Sequence, residues 1–258
     1  MPQDDHAEVG RWLARHGLTD TGPTPLLAAR LAVRRRANVV GSVLLAAFMM
    51  GAALTHALRL PADVTSSWPL AALVSLVVGL LLGQWLLGRW VRRVDRRAGA
   101  RLPRRVAHPV PLKWSSVVGR SYAVFTVASF AGAALLAVSV LPVADPGLRH
   151  GAVVVLIGLA GAGAGTAMQL RQVLASPAVA EDEASLTADV IMRVEDARAL
   201  VTPSLVWLLP IIFLYGDSLG WWNAASLAFV VAGAVVFCLI HVRSAAVGAA
   251  ARRALATR

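Results

Sequence analysis

The chain has 258 residues, 57% of them hydrophobic, with a mean hydropathy of +0.66. Its formal net charge is +11, from 25 Lys and Arg against 14 Asp and Glu. Apolar runs this long and frequent exceed what a soluble domain needs for its core, so the composition points to a membrane protein. A single cysteine, Cys238, excludes an internal disulfide and reads as a small buried apolar residue.

Residues 1–36 are polar and charged and form a cytoplasmic N-terminal segment. Within them "PTPLLAARLAVRRR", residues 23–36, predicts an amphipathic lead-in helix, with Thr24 as its cap and Pro25 at its first position. The first apolar run starts too late and runs too long for a signal peptide, so a retained span is expected. Crossing ~30 Å of hydrocarbon takes roughly 17–25 helical residues. Six stretches qualify: Ala37–Leu58, Val64–Gly88, Ser121–Ala144, His150–Leu170, Ala199–Gly216 and Ser218–Val242. They place a six-helix transmembrane domain over residues 37–243, followed by a basic tail, 244–258. The fifth span holds Pro203 and Pro210, which predict a kink.

Between the second and third spans, residues 89–120 carry ten basic residues and one acid, Asp95. Arg92, Arg93, Arg96, Arg97, Arg104 and Arg105 make this a loop that attracts anionic headgroups, at roughly 1 kcal/mol per charge near the surface. A juxtamembrane position argues against nucleic acid as its partner. Gly79 and Gly83 in the second span, and Gly161 and Gly165 in the fourth, form Gly-x-x-x-Gly patterns that mark helix contacts in lipid.

Residues 171–203 hold six of the fourteen acids. Ser185 is a candidate N-cap, and Leu186, Val190, Val194, Ala197 and Val201 recur at steps of three and four. This predicts an amphipathic helix with one apolar stripe. Asp189 and Arg193 pair at i,i+4, and Glu195 and Arg198 at i,i+3. The acids Glu181, Asp182 and Glu183, with Asp189, Arg193 and Asp196, define a clasp to the loop 89–120 or a docking surface for a partner.

Three positions where the chain enters the bilayer follow an Arg (Arg36, Arg120, Arg198), and three exits end at one (Arg89, Arg171, Arg243). The six spans therefore read as three antiparallel hairpins. Twenty-three of the 25 basic residues fall on one side, leaving Arg59 and Arg149 on the other. The positive-inside rule then puts both termini in the cytoplasm of a bacterial inner membrane. Trp and Tyr residues cluster at span ends, as interfacial anchors do.

Chemistry is sparse. The six spans contain no charged residue, whereas ion-coupled transporters and intramembrane hydrolases usually keep one near the midplane. His56, His150 and His241 lie at span ends without metal-ligand spacing. The sequence has no phosphate loop and no nucleophile elbow. No catalysis and no cofactor are expected.

The segment "RQVLASPAVAEDEASLTADVIMRVEDA" resembles cytoplasmic loops of uncharacterised actinobacterial six-span integral membrane proteins, and the likeness extends to the layout of the spans. That resemblance implies no activity and carries over no functional residue. The signature of mitochondrial carriers, which also have three helix pairs, is missing. Permease subunits of ABC exporters share six spans, cytoplasmic termini, a lead-in helix and coupling helices. The expected fold is an all-α polytopic bundle. The expected function is a non-catalytic scaffold with a cytoplasmic docking surface; the alternative is an ABC-type permease subunit served by a partner ATPase.

Overall fold

The computed structural model describes residues 3–18, 22–59, 68–100, 117–176, 183–202, 206–207, 209–210, 212 and 220–243. Glu181, Asp182, Arg104, Arg105 and the tail 244–258 lie outside them. The described residues are all-α and contain no strand. Seven helices follow in order: α1 (Gln3–Arg15), α2 (Pro25–Arg59), α3 (Trp68–Ala100), α4 (Arg120–Val140), α5 (Pro146–Ala175), α6 (Glu183–Val201) and α7 (Gly220–Arg243). Of these α2, α3, α4, α5 and α7 are long and apolar enough to cross a membrane. The protein is a multi-pass helical membrane bundle.

Local chemistry sets several helix ends. Thr24 Oγ1 accepts from Leu27 N at 3.3 Å and Pro25 takes the first turn, as the sequence predicts. The lead-in is not a separate helix, however. It continues unbroken into the first span, giving α2 35 residues. Asp145 caps α5 by accepting from Gly147 N and Leu148 N, again with a Pro behind it. Gly17, at φ +69°, closes α1: Gly17 N donates to Ala14 O and Leu18 N to Leu13 O. That paired pattern needs a left-handed residue, which glycine adopts without a Cβ clash.

At 1.5 Å per residue, α2 and α3 are each about 50 Å long, roughly 20 Å more than the hydrocarbon. The excess carries charge: Arg30–Arg36 on α2, and Arg89–Arg97 on α3. These two antiparallel helices therefore extend together beyond the apolar layer at one end of the bundle, the basic end. The first twelve residues of the sequence's basic loop, 89–100, are thus helix, the C-terminal part of α3.

α3 and α5 run parallel, with Val77 beside Gly158, Leu81 beside Gly161, and Gln169 beside Gly88. Helices α4 and α7 are antiparallel. Tyr122 Oη lies 3.5 Å from His241 Nδ1 at the basic end, and Trp222 Nε1 donates to Ser139 Oγ at 3.1 Å at the other.

One apolar core fills the membrane layer, with Phe48, Val77, Ala133, Ala137, Val155 and Leu159. Val206, Leu209 and Ile212, from the expected fifth span, are buried in it too. The outer surface is apolar: Met50 is 72% exposed, Leu135 70% and Val242 83%. Such a surface is at home in lipid rather than water. Cys238 is exposed on that surface, contrary to the buried position expected for it, because α7 packs against the bundle along one side.

Close contacts define how the helices meet. A Cβ on Gly83 would lie 2.8 Å from Leu44 Cδ1, and one on Gly161 would lie 2.9 Å from Leu81 Cδ1. Added Cβ atoms on Gly79 and Gly165 would meet nothing within 4 Å. Four glycines outside the two motifs make equally tight contacts: Gly51 on Leu76, Gly88 on Gln169, Gly132 on Phe229 and Gly233 on Trp207.

Candidate functional site: the charged cap at the basic end

A second core lies beyond the membrane layer. It joins Val9, Trp12 and Leu13 of α1, Leu27 and Ala28 of α2, Val117, Val173 of α5, and the length of α6 from Ala188 to Ala197. Burying the three α1 side chains stabilises the docked helix by roughly 1.5–3 kcal/mol for each. Nothing in the sequence analysis marked α1, although Val9, Trp12 and Leu13 recur at steps of three and one and define its apolar face.

Helix α6 departs from the expected one-stripe pattern. All seven residues from Ala188 to Val194 are buried. Seven consecutive positions sweep nearly two full turns, so the middle of α6 is enclosed on every side. Enclosure brings Asp189 and Arg193 inside with exposures of 0% and 6%. A buried charge is tolerated when paired and hydrogen-bonded, and both are.

The pairing joins three helices. Arg30 Nη2 donates to Asp189 Oδ1 at 2.7 Å, and Arg30 Nε to Asp95 Oδ1 at 2.9 Å. Arg34 reaches two carboxylates at once. Its Nε and Nη2 donate to Asp196 Oδ1 and Oδ2 at 3.0 and 2.7 Å, and its Nη1 and Nη2 to Asp95 Oδ1 and Oδ2 at 3.2 and 2.9 Å. Arg193 Nη2 closes the set on Asp189 Oδ2 at 2.8 Å and also donates to the Ser176 carbonyl through Nη1. Three guanidinium groups thus match three carboxylates, Asp95, Asp189 and Asp196. Arg is suited to this because its planar fork offers five donors.

Sequence reasoning singled out Asp189, Arg193 and Asp196, and the structure brings them together. It directs Asp189 and Asp196 to Arg30 and Arg34 of α2 rather than to Arg92, Arg93, Arg96 or Arg97. Asp95 joins the network as a third acid. Arg92 turns instead to Gln169 Oε1 at 3.3 Å. Arg93, Arg96 and Arg97 are exposed, and none of them forms an ion pair with a described residue. Glu183 opens α6.

Glu195 holds α1 in place. Trp12 Nε1 donates to its Oε2 at 3.2 Å, and His16 Nε2 lies 3.1 Å from its Oε1. Burial alone would lower the His16 pKa. Its hydrogen bonds to Glu195 and to the Trp12 carbonyl, with the Glu195 charge, outweigh burial and raise it above the ordinary value.

Between α1, α2, α6 and α7 the cap leaves a cleft of about 760 Å³. It lies where Arg34 and Arg35 give way to the apolar run that begins at Ala37. Among the described residues, no three His, Cys, Asp or Glu side chains gather as a metal site. Compared with protein-family models, curated proteins and solved structures, the chain matches none of them.

Proposed function

We propose that this is a six-span protein of the bacterial cytoplasmic membrane, without catalysis of its own, that serves as a scaffold through a rigid cytoplasmic cap. The observation that carries the reading is the Arg30–Asp189 and Asp95–Arg34–Asp196 network, which binds α2, α3 and α6 into one preassembled platform.

A sixth crossing is supported by two positions. Val201 O accepts from Thr126 Oγ1 near the basic end of α4, whereas Trp222 meets Ser139 at the opposite end. The 18 residues 202–219 have to connect the two, about 27 Å if helical. The α7 C-terminus and the α2 N-terminus then share the basic end, and the positive-inside rule makes that end cytoplasmic. The exposed Arg93, Arg96 and Arg97 suit anionic headgroups or an acidic partner.

A permease subunit would need a coupling helix with a face free for its ATPase. Burial of Ala188 through Val194 leaves the middle of α6 without one; it also takes Asp189 and Arg193 out of any docking surface, so the scaffold's contact is proposed at Glu181, Asp182 and Glu183 ahead of that stretch. The test is affinity purification of the tagged protein from its host in mild detergent, with mass spectrometry. A stoichiometric partner without nucleotide-binding motifs, retained in a form with Glu181, Asp182 and Glu183 intact and lost when all three are changed to Gln, supports the scaffold and its docking site. A stoichiometric ATPase would overturn it in favour of the permease.

A further inference from the structure

We propose that the cleft between α1, α2, α6 and α7 is a binding site for the headgroup of an anionic phospholipid drawn from the surrounding bilayer. The inference rests on this end of the bundle lying at the membrane–water boundary, and not on which side of the membrane it faces or on any partner protein.

Position comes first. Along α2 the cleft lining runs from Arg34 and Arg35 through Asn38 to Val39. It therefore spans the level at which charged residues give way to apolar ones, where headgroups sit. Val39 is 58% exposed, and Val43, one turn further along α2, is 60% exposed. Together they continue the cleft wall into an aliphatic strip on the outer surface, along which an acyl chain can lie. Phe237 on α7 supplies an apolar wall within the cleft itself.

Charge comes second. Arg15, Arg34, Arg35 and Arg198 line the cleft against Glu8, Glu195 and Asp196. The lining thus has one more cation than anion. Asp196 is taken by Arg34, and Glu195 by Trp12 and His16. Arg15 is exposed, and among the described residues no carboxylate pairs with it. Arg35 is 71% exposed in its side chain and gives Nη1 to Glu8 Oε2 at 3.0 Å, leaving further donors. Guanidinium groups on two different helices, α1 and α2, thus border one pocket. Arg forks match phosphate oxygens bidentately.

Size comes third. About 760 Å³ is within the ~300–1,000 Å³ of small-molecule sites. It accommodates a headgroup and glycerol with the tails outside.

The experiment is native mass spectrometry of the delipidated full-length protein titrated with phosphatidylglycerol, and separately with phosphatidylcholine. Arg15→Gln with Arg35→Gln removes two exposed cleft charges without touching the buried network. Arg96→Gln with Arg97→Gln removes two exposed charges outside the cleft. Glu8→Gln removes the carboxylate that competes for Arg35. The expected result is tighter binding of phosphatidylglycerol than of phosphatidylcholine, at least about a five-fold loss in the Arg15/Arg35 variant, a gain in Glu8→Gln, and little change in the Arg96/Arg97 variant. Equal losses in the two double variants would reduce the effect to general surface charge and overturn the site. So would equal binding of the two lipids, or unaltered binding in the Arg15/Arg35 variant. A partner protein found or missing in the purification leaves each of these readings as it stands, so the two proposals fail separately.

Discussion

Arg30 and Asp189 stand 159 residues apart in the chain and meet at 2.7 Å with Asp189 wholly buried. The contact ties α6 to the charged N-terminal part of α2. Arg30 lies one turn before Arg34 on α2, and Asp189 lies two turns before Asp196 on α6. Arg30 meets Asp189 and Arg34 meets Asp196, so the two helices are joined by two ion pairs. Asp95 fills the remaining space from α3 and touches both arginines.

Removing one partner of such a pair strands the other. Asp189→Ala leaves Arg30 and Arg193 buried with less compensation, a change that typically costs about 3–5 kcal/mol. The protein is expected to lose its cap first, seen as a lowered unfolding temperature and fast hydrogen exchange in α6. Replacing Arg30, Asp189 and Arg193 together by Met, Leu and Met avoids the stranded charge and is expected to cost much less. If the single and triple variants unfold alike, buried charge is not what Asp189 compensates.

Glycines test the packing of the membrane layer. An added Cβ at Gly132 or Gly233 meets the Phe229 or Trp207 ring at 2.9 Å. Rings do not bend aside, so Gly132→Ala and Gly233→Ala are expected to destabilise by about 1–3 kcal/mol. Gly79→Ala and Gly165→Ala meet open space and are expected to be neutral or stabilising by up to about 1 kcal/mol, since Ala is the better helix former. Thermal unfolding of the four variants in one detergent gives the comparison. Equal behaviour of the two pairs would mean that these contacts do not hold the bundle.

Much of this architecture can be read from the chain, and the unread part has a physical cause. Hydropathy locates α2, α3, α4, α5 and α7 because lipid demands long apolar helices. Thr24-Pro25 marks the start of α2 because capping is local chemistry. The pairing of acids with bases is not local. Charge attraction alone favours the dense basic run 89–120 as the partner of the acids in 171–203, yet Asp189 and Asp196 go to Arg30 and Arg34. What decides is the helical extension of α2 past the membrane, which places those two arginines against α6. Asp95, the lone acid among ten bases, was the available signal that this stretch folds onto other arginines. Gly-x-x-x-Gly spacing likewise names a helix face without naming its neighbour. Gly83 meets Leu44, while Gly79, one turn away, meets nothing.

The docking of α1 is expected to depend on pH. His16 has a raised pKa in the folded state, so its contribution is fully present below its unfolded value of about 6.5 and fades as pH rises through the folded value. The charged groups around it are Glu195 on α6, which favours the imidazolium, and Arg15 on α1, which opposes it. A nitroxide at exposed Ala14, in a Cys238→Ala background, should become more mobile between pH 6 and pH 8.5. His16→Gln should remove that change. A label equally immobile across the range would show that Val9, Trp12 and Leu13 hold α1 without help from the ion pair.

Arg34 gives the sharpest test of the network, because one guanidinium serves Asp95 and Asp196 together. The two carboxylates also repel each other across it. Changing either one to Asn relieves that repulsion and leaves Arg34 a partner, so each single variant is expected to be mild. Changing both strands Arg34 at 12% side-chain exposure. The double variant is therefore expected to exceed the sum of the singles by about 0.5–3 kcal/mol, the range of coupling between residues in one network. Arg34→Lys probes the same point from the other side. A single ammonium carries the charge but cannot present a planar fork to two carboxylates, so it should recover only part of the stability. Additive Asn variants, or full recovery with Lys, would mean that α3 and α6 are joined by packing and not through Arg34.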